Sequence, residues 1–157
     1  MVLGDAVSSA ERLREALAQE VDAARGERHL LRTLDSAALL RRATARAEFQ
    51  ARVARLEEAL HGALAAAAER LDLRLVTVAS LSEREPVAAS ALSRIFGEVR
   101  ALAAALAELD RLNHFLASRA LKLVRSYVEA ISPAPSAYDR RGLRAVASAA
   151  HAVSSRV

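Results

Sequence analysis

The chain has 157 residues, 53% apolar but only 3% aromatic, with no cysteine and a formal net charge of +4. That length suits one domain and is too short for two independent cores. The lack of thiols excludes disulfides, iron–sulfur sites and cysteine chemistry, and it fits a reducing compartment.

Much of the apolar share is alanine, with leucine next, and both favour helix. Strand-forming aromatics are nearly absent, and five glycines with three prolines leave few places to turn. The expectation is an all-α fold: a long antiparallel helical hairpin or bundle of about three main helices with a flexible C-terminal tail. Residues 1–131 are read as the bundle domain and residues 132–157 as a mobile, client-binding tail.

The first helical stretch is expected from Ser8 or Ser9 to Leu31, with Ser8 as N-cap and Glu11 closing a capping box. Leu13, Leu17, Val21 and Ala24 mark one face at spacings of four, four and three. Gly26 and the Thr33-Leu34-Asp35 segment weaken it, and Asp35 or Ser36 is placed to cap a new helix. The second stretch, residues 37–70, carries a face of Phe49, Val53, Leu56, Leu60, Leu64, Ala67 and Leu71. Residues 71–81 alternate briefly like a strand, but a strand would have no partner. They are read as an apolar connection ending in one helical turn after Thr77, with Pro86 in the first turn of the next helix.

The third stretch has the strongest pattern. Ile95, Val99, Leu102, Leu106, Leu109, Asn113, Leu116, Ala120, Leu123 and Tyr127 form a heptad ladder in which Asn113 alone is polar. One helix from Pro86 to Ile131 would span about 70 Å at 1.5 Å per residue. Such a helix must lie against the second stretch, a partner chain, or both. A lone asparagine in such a seam fixes register or partner number, so Asn113 is assigned a structural register role. Ser132-Pro133-Ala134-Pro135-Ser136 then stops the helix, since neither proline donates a backbone hydrogen bond. Beyond it, Leu143, Val146, Ala150 and Val153 share a weakly amphipathic face too short to stand alone in water.

No catalytic, cofactor or metal site emerges. His29, His61, His114 and His151 form no cluster at ligand spacing, and Asp110 with His114 reads as an exposed i,i+4 pair. Glycine-rich phosphate loops, HExxH and GxSxG are absent. Residues 1–10 lack the basic start and apolar block of a signal peptide. The alanine-rich runs at 63–68 and 101–107 stop far short of the roughly 20 residues of a membrane span. The reading is a cytoplasmic, non-enzymatic protein without membrane insertion. The basic charge is spread among glutamates rather than clustered, which argues for solvated helix faces over nucleic-acid binding.

The layout resembles the FlgN family of flagellar export chaperones. The resemblance is carried by Glu20 and residues 30–34, by Leu109-Asp110-Arg111-Leu112-Asn113, and by Tyr138-Asp139-Arg140-Arg141-Gly142. Where that family commonly shows a lysine in the second helix, this chain has alanine, glutamate and arginine around Arg46, Ala47 and Glu48. The resemblance implies a chaperone for hook-associated proteins of the hook–filament junction, delivering them to an export-gate protein. It places the client site in the tail, at Leu143, Val146, Ala150 and Val153, and gives Tyr138 a part in docking on the gate. Tyr138 reads equally well as a turn residue packed on the end of the bundle.

Burying Leu143, Val146 and Val153 would contribute roughly 1.5–3 kcal/mol each. Ordering the segment costs about 2–5 kcal/mol, and association costs on the order of 4 kcal/mol or more. These nearly cancel, so the tail is expected to bind poorly without part of the bundle surface. The alternative is a structural homo-oligomeric coiled coil pairing through the ladder, and the chaperone reading itself leaves room for a weak homodimer. A basic helical nucleic-acid binder ranks third.

Overall fold

The computed structural model describes residues 2–73 and 77–131. Four helices follow in chain order: α1 (Gly4–Thr33), α2 (Ser36–Arg70), α3 (Val78–Arg84) and α4 (Pro86–Ile131). No strand occurs among the described residues. By contact density the chain divides into two units, residues 1–120 and residues 121–157.

Helix α1 begins five residues earlier than the capping box predicts, with Leu3 rather than Ser8 at the N-cap, and Ser8 lies inside it. No side chain close in sequence caps this end. The carboxylate of Glu85, at the junction of α3 and α4, accepts instead from the backbone N–H of Val2 at 2.7 Å and of Leu3 at 3.2 Å. An anion at a helix N-terminus satisfies orphan donors and complements the dipole, so a distant glutamate replaces the local serine. Gly26 does not break α1, which runs through to Thr33. The break falls at Leu34, whose φ of 53° is left-handed while its N–H closes onto the Leu30 carbonyl. Asp35 then caps α2 as expected, accepting from the Ala38 N–H at 2.9 Å.

The connection to α4 also follows the expected pattern. Thr77 and Ser80 form a capping box that starts α3, and Pro86 opens α4. The helical segment after Thr77 is seven residues, nearer two turns than one.

Within residues 1–120, cross-helix contacts fix the directions. Arg14 meets Glu98 and Ala24 meets Asn113, so α1 and α4 run parallel. Gln19 meets Arg52 and Glu27 meets Arg42, so α2 runs antiparallel to α1. The core joins Leu3, just before α1, and Leu13, Leu17, Val21 and Ala24 of α1 to Leu60 and Ala67 of α2. Leu81 of α3 and Leu92, Ile95 and Leu106 of α4 complete it. Phe49, Val53, Leu56, Leu64 and Leu71 pack against its edge, as the spacing on α2 predicts.

Glu98 sits between Arg14, at 3.1 Å across the α1–α4 seam, and Arg94, at 2.6 Å one turn back. Hydrogen bonds from Arg14, then from Arg94, hold its carboxyl below the ordinary glutamate value. A depressed carboxyl adds stability above its unfolded pKa and loses it as pH falls through the lower folded one. Replacing Arg14 with glutamine should therefore raise the Glu98 titration midpoint. Carboxyl NMR of the two proteins reads this directly, and an unmoved midpoint would refute the assignment.

Candidate functional site

Two features of the described residues stand apart from an ordinary helical core. The first is a polar seam where α1, α2 and α4 meet. Glu20 falls on the apolar stripe of α1, between Leu17 and Ala24, and its side chain is only 6% exposed. Arg42 of α2, 11% exposed, reaches it with both terminal guanidinium nitrogens, and its Nε lies 3.4 Å from Glu27. One turn on, Arg46 bonds to Asp110 of α4 and lies 3.7 Å from Glu20. Burial works against the charge of Arg46, but its bond to Asp110 and the nearby carboxylates outweigh it and raise its pKa. Such pairs on three helices fix their mutual register more than they add stability, because desolvation offsets much of the attraction.

Asn113 completes this seam. It is buried, and its side-chain N–H donates to the Ala24 carbonyl at 2.8 Å, tying α4 to α1. Its Oδ1 is buried without a partner, as is Oδ1 of Asp110. Asp110 does not make the expected exposed pair with His114. Its ion pair is with Arg46, although His114 lines the same cleft as Asp110 and Asn113.

The second feature is the end of α4, residues 121–131. At 100° per residue, Leu121, Leu123, Val124, Tyr127, Val128 and Ile131 gather on one side of the helix. Lys122, Arg125, Ser126 and Glu129 take the other. All six apolar side chains are between 41% and 79% exposed. The ladder read from sequence therefore holds as a core seam only in its earlier steps: Ile95, Leu106 and Asn113 are buried, while Leu123 and Tyr127 are open. Contiguous exposed apolar surface of this kind makes residues 121–131 a candidate binding face.

Tyr138, Leu143, Val146, Ala150 and Val153 lie outside the described residues. Asn113 alone among the predicted partner and register residues has a described position. The charged seam was missed because Arg42 and Arg46 read as part of solvated faces and Glu20, named only for the family resemblance, was given no partner. A signal existed in Glu20, which breaks the apolar stripe of α1 at a core position. Among the described residues no three His, Cys, Asp or Glu side chains converge to hold a metal. None of their helices is long and apolar enough to cross a membrane.

No curated protein and no solved structure matches the chain. A family model does, described as FlgN protein and covering residues 1–145, so the match takes in all four helices and Tyr138. The chain belongs to the FlgN family, a family of flagellar chaperones rather than of enzymes.

Proposed function

We propose that this protein binds hook-associated proteins of the hook–filament junction in the cytoplasm and delivers them to the export gate. The observation that carries this reading is the open apolar side of residues 121–131, which continues directly into the tail. Each of its side chains would contribute about 1.5–3 kcal/mol on full burial. That supplies the surplus that Leu143, Val146, Ala150 and Val153 lack by themselves. The client contact then joins the end of α4 to the tail. Tyr138 lies between the two and acts at the gate. Asn113 and the charged seam keep α4 up to residue 120 in register with α1.

The test compares an isolated peptide of residues 132–157 with the full chain against a hook–filament junction protein, by calorimetry. The peptide is expected to bind at least about tenfold more weakly, one such side chain lost being worth that factor. Equal affinity would refute the shared contact. Tight self-association of the full chain with no client binding would favour the structural coiled coil.

A further inference from the structure

Helix α2 is held in two different ways along its length. From Phe49 onward it packs through apolar side chains, with Leu60 and Ala67 buried. Before Phe49 it contributes nothing to the core cluster, none of residues 36–48 is buried, and Leu40 is 72% exposed. What holds this segment against its neighbours is the pairing of Arg42 and Arg46 with Glu20, Glu27 and Asp110.

We propose that residues 36–48 form a charge-latched flap, which opens by local unfolding from the Leu34 end while the rest of the bundle stays folded. A segment without apolar burial belongs at the low-stability end of local opening. Its ion pairs contribute little net free energy, because desolvation offsets their attraction. The left-handed Leu34 at its start is a conformation that costs a leucine energy and is relieved on opening. What the flap covers is the seam of Glu20, Glu27, Asp110 and Asn113. Opening therefore bares three carboxylates and the unpartnered Oδ1 of Asn113 on the α1–α4 side.

Native-state hydrogen exchange of the full chain tests the flap. Amides of residues 40–48 should exchange at least about tenfold faster than those of residues 57–67, which lie deep in the apolar half of the same helix. Raising salt from about 0.1 M to about 1 M shortens the screening length from about 10 Å to about 3 Å. That change should speed exchange in residues 40–48 several-fold and leave residues 57–67 unchanged. Asp110→Asn should act in the same direction at low salt and should also reduce the salt response, because it removes the more exposed, more strongly screened pair of the latch. Equal protection along α2 would overturn the proposal. So would fast exchange at residues 40–48 that neither salt nor Asp110→Asn alters.

Discussion

Arg42→Ala should lower global stability by about 3 kcal/mol, far more than loss of an exposed ion pair. The change leaves Glu20, 6% exposed on the inner face of α1, without its bidentate partner. Arg46 lies 3.7 Å from the same carboxylate but is engaged with Asp110, so it compensates poorly. The cost falls at the low end for a broken buried pair, because opening of residues 36–48 lets water reach Glu20. Glu20→Met together with Arg42→Met should bring stability back to that of the parent protein or above it, since two desolvated charges are replaced by packing. Urea titrations of the three proteins measure both effects. An Arg42→Ala variant within about 0.5 kcal/mol of the parent would mean that the pair behaves as a surface contact.

Val124→Asp with Val128→Asp should weaken binding to a hook–filament junction protein by about 100-fold or more. Both side chains lie on the open side of α4, 41% and 52% exposed. Buried apolar anchors at an interface are each worth about 2 kcal/mol or more, and each 1.4 kcal/mol is tenfold in affinity. The same exposure means that neither carboxylate meets the core. Stability should stay within about 0.5 kcal/mol for each change, as at other surface positions. Calorimetry for the complex and thermal melting for the free protein separate the two effects. Lost binding accompanied by lost stability would point to a structural role for this face.

Much of the fold was legible because it follows from strong local signals. Asp35 is a good N-cap, Thr77 precedes a helical turn, and Pro86 is tolerated in the first turn of a helix. The α2 face from Phe49 to Leu71 is legible for the same reason, since its spacing is uniform and each member is apolar. Ser8 misled because the true cap of α1 is Glu85, more than eighty residues away, and no local pattern encodes that contact.

The site was legible only in part. Asn113 stood out as the one polar member of a heptad ladder, and its bond to the Ala24 carbonyl accounts for a polar side chain at that place. The charged seam did not stand out, because Arg42, Arg46 and Asp110 are ordinary residues on long charged helices. Only the meeting of three helices makes them neighbours. The ladder concealed the opposite case. Leu123 and Tyr127 continue the spacing of Ile95 and Leu106, yet periodicity reports which residues share a face, not whether anything covers it.

The most direct test of the account is co-purification of hook–filament junction proteins with the full chain and with a chain ending at Ser132. The account predicts capture by the full chain and little or none by the truncated form, although both retain the α4 face. Capture by neither, with both forms purifying as tight dimers, would contradict it and identify the exposed α4 face as a self-association surface.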